Sequence, residues 1–413
     1  MYGWRNFGDV YGDHEAVKSS PEDPLVSQYN NQYDLVLGLG IHALRSSDVR
    51  YQELMHDLAR HVVDIDIYHT TLDKPAYNQG QFWHTVHYID AGLSTHRTYP
   101  KGTCGGGPSS GQAYSRGLLL QYCLTGDETA KEAVTNMGDW MIAAEDGSQT
   151  KFRWLASGET GLTSASGSDS YHGPGRGSAN CLEILVTAFQ LSHDRKYLNQ
   201  AERIIHRVVH PNQDLEALNL LDAERRWFYN MFLQALGRYL DVKLSCNELD
   251  ETYAYGQQVL LRFADWMVEN EYPYLDKPEI LEFPNETWSG QEMRKCEVFQ
   301  WAAKHATGDR RESYLAKAQF FFDVACQQLS ESPRRSLCRP VALLMANGYS
   351  RSWFQKRDVL KAMPLGTDSD FGSPVVFKSQ KQRAIQRAKS IVIAAGLAVV
   401  VLTVVLLVKV LTT

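Results

Sequence analysis

Little in this chain points to metal fingers, disulfides or nucleic acid. Its seven cysteines, Cys104, Cys123, Cys181, Cys246, Cys296, Cys326 and Cys338, include no CxxC pair. That spacing argues against a zinc ribbon or a thioredoxin-like site, and the scattered odd count excludes a disulfide scaffold. Cysteines spread over apolar segments read as mostly buried free thiols, which favours a reducing compartment. The net charge is −6 and residues 1–350 hold no basic stripe, which argues against nucleic acid. There is no HExxH motif, and Gly105-Gly106-Gly107-Pro108 is not followed by GKS or GKT, so neither a zinc-protease helix nor a phosphate loop is expected. The N-terminus, MYGWRNFGDVYGDHEAV, has no apolar run behind a basic start, so no signal peptide is expected. Its abrupt start reads as mid-domain, as in the C-terminal part of a longer architecture.

What is present is a repeated local pattern. Leu44-Arg45-Ser46-Ser47-Asp48, Leu124-Thr125-Gly126-Asp127, Leu191-Ser192-His193-Asp194 and Ala306-Thr307-Gly308-Asp309 each close one apolar-periodic segment and open another. The second segments carry apolar residues near i, i+3, i+4 and i+7, the pattern of an amphipathic helix. The Gly or Ser ends one helix and the Asp caps the next. The unit is therefore a helical hairpin. One hairpin cannot bury its apolar stripe alone, so the repeats must pack on one another. Hairpins are expected at 29–66, 111–145, 179–209, about 223–271 and 291–329, with a last helix near Pro340 to Asn347. Five or six hairpins suit an all-α fold, an (α/α)6-type toroid, over residues 1–350.

Residues 351–390 read as a linker with a basic juxtamembrane flank of Lys378, Lys381, Arg383, Arg387 and Lys389. Residues 391–408, IVIAAGLAVVVLTVVLLV, carry no charge and extend ~27 Å as a helix, close to the hydrocarbon thickness of a bilayer. A single C-terminal transmembrane helix is expected, and a buried core helix is the alternative. The positive-inside rule places the main unit on the cytoplasmic side, with the exported side as the alternative.

Two long segments, 67–110 and 146–178, are rich in His, Tyr, Trp, Arg and Gly, which favours ordered site-building loops. The first holds Trp83, His84, His87, Tyr88, His96, Arg97 and Tyr99, and His69 precedes them. A short helix over Phe82 to Asp90 would put His84 and His87 on one face. Three readings stay open. His84, His87 and His96 with Asp66 or Asp90 could bind Zn²⁺ or Ca²⁺. His and Tyr could remove a proton alpha to a carboxylate while Arg neutralises the developing charge, which is uronate β-elimination. Or each His only bonds loop backbone.

A second cluster runs from Pro284 to Lys295. Glu286 could serve as acid or base, and Trp288 could stack on a sugar, with Arg294 close by in sequence. Thr287 or Ser289 could instead cap a helix, with Glu292 complementing its dipole. Asn285-Glu286-Thr287 also fits a glycosylation acceptor. His172 and Arg176, in the Gly/Ser-rich stretch Ser157–Ser178, complete the candidate binding set with Trp83, Tyr99, Trp288 and Arg294. Aromatics make up 11% of the chain, with nine Trp and 21 Tyr, which suits either a large-residue core or a ring-lined cleft for sugars.

Trp4-Arg5-Asn6-Phe7-Gly8-Asp9, Tyr29-Asn30-Asn31-Gln32-Tyr33-Asp34, Ala59-Arg60-His61-Val62-Val63-Asp64-Ile65-Asp66, the His84/His87 block and the Leu-Thr-Gly-Asp turn occur in this order. Together they resemble the (α/α)-toroid region of YetA-like, exo-rhamnogalacturonan-lyase-like bacterial polysaccharide-degrading proteins, over roughly residues 1–350. The resemblance implies a toroid in a carbohydrate context and a lyase or hydrolase. The expectation is thus a membrane-anchored carbohydrate-active protein acting on uronate-containing glycans. His84, His87, Tyr88, His96, Arg97 and Glu286 would be catalytic, and no cofactor is expected beyond an optional divalent metal. Expected partners are an oligo- or polysaccharide and a membrane, with no nucleic acid. Proteins of that group usually carry a β-rich domain ahead of the toroid; none is seen here, and the terminal anchor adds a second expectation of a non-catalytic glycan- or protein-binding toroid.

Overall fold

Helix follows helix through most of the described residues of the computed structural model, which are 9–11, 26–28, 31–73, 76–82, 107–166, 168, 171–333, 338–356 and 369–412. Two short strands, β1 (Asp9–Tyr11) and β2 (Val26–Gln28), pair antiparallel with Asp9 opposite Gln28. They precede the first hairpin, expected at 29–66. The helices are α1 (Leu35–Ser46), α2 (Val49–His61), α3 (Arg116–Thr125), α4 (Glu128–Glu145), α5 (Arg176–Ser192), α6 (Arg195–Val208) and the single turn α7 (Ala223–Arg226). They continue with α8 (Tyr229–Ser245), α9 (Glu251–Asn270), α10 (Glu286–Lys304), α11 (Gly308–Glu331), α12 (Cys338–Asn347), the short α13 (Ser350–Phe354) and α14 (Gln380–Thr412).

Three of the four expected turns form as the sequence implies. Asp48, Asp127 and Asp194 each accept a hydrogen bond from the backbone N–H two residues on. Each thereby satisfies one of the orphan donors at a helix start. The residue ahead of each Asp, Ser47, Gly126 or His193, takes the left-handed conformation that ends the previous helix. In the third turn this is His193 rather than Ser192, whose hydroxyl instead donates back to the Ala188 carbonyl. The fourth turn departs from the pattern. Gly308 has φ of +58°, but Asp309 lies inside α11 and Thr307 at the cap makes no side-chain bond. α10 is capped by Asn285, whose Oδ1 accepts from the Thr287 N–H at 3.1 Å, and not by Thr287 or Ser289. The Asn285 side chain is buried in that role, so it is not presented as a glycosylation acceptor.

Helices pair as α1 with α2, α3 with α4, α5 with α6, α8 with α9 and α10 with α11. The first members also pack on one another. α1 contacts α3, α3 contacts α5, α5 contacts α8, α8 contacts α10, α10 contacts α12, and α12 contacts α1. The second members are amphipathic, as read from the sequence, with apolar faces such as Tyr197, Leu198, Ala201, Ile204 and Ile205 of α6 turned inward. The first members differ. In α10 every residue from Thr287 to Lys304 is buried, although many are polar. Burying such groups costs free energy unless each finds a partner, so a helix of this kind implies an internal polar network.

One part of that network holds the α9–α10 junction. Lys295 Nζ lies 2.8 Å from Glu271 and 3.1 Å from Glu292, donates to the Tyr272 carbonyl at 2.6 Å, and sits over the Tyr274 ring. One cation thus serves two buried carboxylates. Burial pushes the Glu292 carboxyl up from 4.5 to about 7, against the pull of Lys295 and the Tyr274 N–H. A folded chain that holds this proton at higher pH than the unfolded chain loses stability as pH rises from about 4.5 to about 7. Glu292→Gln removes the titration while keeping a similar shape. Its stability relative to the parent should therefore rise across that window and level off above it, as read from thermal unfolding at several pH values. A difference that stays constant with pH would show that Glu292 is already ionised in the fold.

α14 is of another kind. Residues 391–408 are exposed throughout, with a window of mean hydropathy 3.2 and no burial against the rest of the chain. This helix is long and apolar enough to cross a membrane. The segment before it is not a free linker in its described part. Phe371 packs on Tyr255, Asn212 donates to the Gly372 carbonyl, and the Arg207 guanidinium lies over the Phe377 ring at 4.3 Å.

Candidate functional site

A chain of paired charges runs between the first members of the helix pairs. Arg116 on α3 lies 3.4 Å from Glu183 on α5 and donates to the Tyr349 hydroxyl at 2.8 Å. Arg238 on α8 spans Glu183 at 2.6 Å and Glu297 on α10 at 2.7 Å. Gln234 donates to Glu297 and to Asn347 on α12, and its carbonyl accepts from Arg294. Gln291 links Arg294 to the Tyr33 hydroxyl. Asp34, which caps α1, also accepts from the Gly117 N–H at 3.0 Å and so ties the starts of α1 and α3 together. A Cβ at Gly117 would meet Asp34 Oδ1 at 2.5 Å, so this approach requires glycine.

Burial raises the Asp34 carboxyl pKa, partly offset by the Gly117 N–H and Arg116. Burial works against the Arg116 charge too, but Tyr349, Glu183, Glu297 and Asp34 outweigh it and raise its pKa. Burial lowers the Arg294 pKa. It pushes the Tyr114 phenol up to about 12, so this hydroxyl stays protonated at neutral pH, and it donates a hydrogen bond to Gln112 Oε1 at 3.3 Å.

Two hollows open on this network. One, of about 50 Å³, is bordered by Tyr33, Asp34, Tyr114, Asn180, Gln234 and Arg294 near the helix starts, with room for a water or two. The other, about 410 Å³, lies toward the helix ends and is walled by Leu37, Leu120, Val186, Trp301, Trp353 and Phe354. Arg116, Glu183, Arg238 and Glu297 line it as well. Its size suits a small ligand and its composition is apolar with a charged floor. A third cleft, about 710 Å³, lies apart from this network between the base of α14 and residues 145–159.

Of the residues singled out in the sequence, Arg176 and Arg294 come together. The Arg176 guanidinium lies 5.0 Å from the Trp227 ring centre, and that of Arg294 lies 6.0 Å from Trp227 and 5.0 Å from Tyr33. Both act electrostatically on Tyr114. Glu286 is elsewhere, at the start of α10, where its carboxylate accepts from Ser332 at 2.7 Å. Trp288 is not a sugar platform. It is 2% exposed, its N–H donates to the Phe283 carbonyl, and its ring packs on Tyr274. An indole at the first turn of a fully buried helix faces the core. His172 is also buried, with Nδ1 3.2 Å from the Ser164 hydroxyl and its ring edge on Phe377, so it belongs to the seat of the segment leading to α14. Trp83, His84, His87, Tyr88, His96, Arg97 and Tyr99 lie outside the described residues, as does the helix expected over Phe82 to Asp90 beyond Phe82 itself. The described ends of that segment are joined, since Phe82 bridges Pro108 and Gln81 bridges Ile67. Asp66, a possible ligand in the metal reading, lies 3.6 Å from the buried His61, and His69 Nε2 is 2.5 Å from the Val63 carbonyl. Among the described residues no group of three His, Cys, Asp or Glu side chains is placed to hold a metal ion.

Sequence reasoning missed Arg116, Glu183, Arg238 and Glu297. One signal was available: α10 carries polar residues on every face yet sits inside a hairpin. Among the described residues, fold and network together define a helical protein with a charged interior and one helix long and apolar enough to span a membrane. Comparison with protein-family models, curated proteins and solved structures gives no match.

Proposed function

We propose that this chain is a membrane-anchored, carbohydrate-active (α/α)6-type toroid that binds uronate-containing glycans at the face bearing Arg176 and Arg294. The closure of first-member contacts from α1 through α12 and back to α1 supports the toroid. Long segments precede α3, α5, α8 and α10, and short turns follow α1, α3 and α5. The inner helix starts therefore share one face with the longer loops. Their dipoles favour an anion there.

The observation that carries the reading is the convergence of two guanidiniums on Trp227 beside the hydroxyls of Tyr33 and Tyr114. A uronate offers a carboxylate for the arginines and a ring face and hydroxyls for the aromatic side chains. In β-elimination, Arg charge would stabilise the carboxylate as the alpha proton leaves, and protonated Tyr114 would donate to an oxygen. The base would come from His84, His87, Tyr88 or His96, with Arg97 as a further cation. A second reading, a non-catalytic glycan-binding toroid, is favoured by the central glutamates. Glu183 and Glu297 are each held by arginine, which ties them into the structure. The basic flank of α14 supports placement of the helical unit on the cytoplasmic side.

Arg176→Gln tests the reading with little risk to the fold, because Arg176 is only partly buried. Removing one charge-assisted contact, worth about 1.5–3 kcal/mol, should weaken acidic-oligosaccharide binding by roughly tenfold or more. A matched neutral oligosaccharide should be unaffected. Equal binding of both sugars by parent and variant would remove the uronate assignment. Ultraviolet absorbance from an unsaturated product, present in the parent and absent in the variant, separates lyase from binding protein.

A further inference from the structure

The base of α14 holds one particular loop. Gln380 donates to the carbonyls of Gly147 and Ala156 at 2.7 and 2.9 Å and accepts from the Thr150 hydroxyl. Arg383 donates to the carbonyls of Ser157 and Glu159, and Arg387 to that of Leu155 at 3.0 Å. The loop so fixed carries Lys151, Phe152, Arg153 and Trp154, all exposed. Trp154 is 80% exposed and Phe152 43%. A lone exposed ring needs no explanation. Here, however, two rings and two cations alternate on a loop clamped to the helix about one to three turns before Ile391, where the apolar run begins.

We propose that residues 151–154 form a second membrane contact, with Trp154 and Phe152 seated in the interface of an anionic leaflet and Lys151 and Arg153 against its headgroups. The proposal rests on the reading that α14 spans a bilayer. Trp favours the headgroup level because its ring is apolar and its N–H polar, and basic side chains add attraction to anionic lipid. The occupant follows from continuity: the loop and the apolar helix are one hydrogen-bonded unit, so a bilayer around residues 391–408 meets the loop. A single span leaves a soluble unit free to swivel. Two contacts fix which face of the helical unit looks along the membrane.

The test uses the full chain reconstituted in vesicles of phosphatidylcholine and phosphatidylglycerol, with or without lipids brominated near the headgroup. Emission of the parent minus that of Trp154→Phe isolates Trp154. This difference signal should be largely lost in the brominated vesicles and should resist quenching by aqueous iodide. If the protein floats with the vesicles but the signal is unquenched by bromolipid and open to iodide, the loop contact is overturned and the span stands. If the protein does not float, the spanning reading fails and takes this proposal with it.

Discussion

Val400→Arg is expected to release the chain from membranes. Val400 lies near the middle of the apolar run, and its side chain touches nothing in the helical unit. An Arg at the centre of a spanning helix costs about 2.5–3.5 kcal/mol on insertion scales, which is on the order of a hundredfold in partition. The carbonate-resistant membrane fraction should fall accordingly, with protein moving to the soluble or aggregated fraction. The helical unit should keep its unfolding midpoint, because the contacts at Gln380, Arg383 and Arg387 lie at the other end of α14. An unchanged membrane fraction would mean that α14 is not inserted. Protease added to sealed inside-out vesicles should digest the helical unit of the parent. Protection there would place it on the exported side.

The second large effect concerns Lys295. Lys295→Met keeps the volume and removes the only charge facing Glu271 and Glu292 among the described contacts of this pair. The Tyr229 hydroxyl still donates to Glu271, and the Tyr274 N–H still donates to Glu292. Neither replaces a cation between two buried carboxylates. Breaking a buried pair in this way typically costs about 3–5 kcal/mol. The loss should shrink at acid pH, where both carboxyls can take up protons. Adding Glu292→Gln should recover part of it, and the size of that recovery measures the coupling. A double variant no more stable than Lys295→Met would show that Glu292 does not feel the lysine. If Lys295→Met unfolds at the parent's midpoint, the network is incidental to stability.

Several features were open to sequence reading because they are local. Asp48, Asp127 and Asp194 cap the helices that follow them because a short acceptor can reach the N–H two residues on without any tertiary partner. The amphipathic second members and the apolar run of α14 are also patterns of near neighbours along the chain. Arg176 and Arg294 were picked out for their residue types, but their pairing on Trp227 spans contacts between α5, α10 and the turn after α7. Periodicity is no guide to such contacts. α10 illustrates the limit most clearly. Its polar residues would read as solvated positions, yet they are buried because α8, α9, α11 and α12 pack against this helix. Their charges are then matched by distant parts of the chain, Arg238 with Glu183 and Glu297, Lys295 with Glu271, by groups 24 to 59 residues apart. The same holds for Trp288 and His172, whose types suited a binding cleft but whose places in the packing put them in the interior. Sequence by itself determined the starts of α2, α4 and α6 and which helix is apolar enough for a membrane, since those depend on a few adjacent side chains. Tertiary structure alone decided which polar residues face each other and which loop the base of α14 grips, because both depend on contacts between segments far apart in the chain.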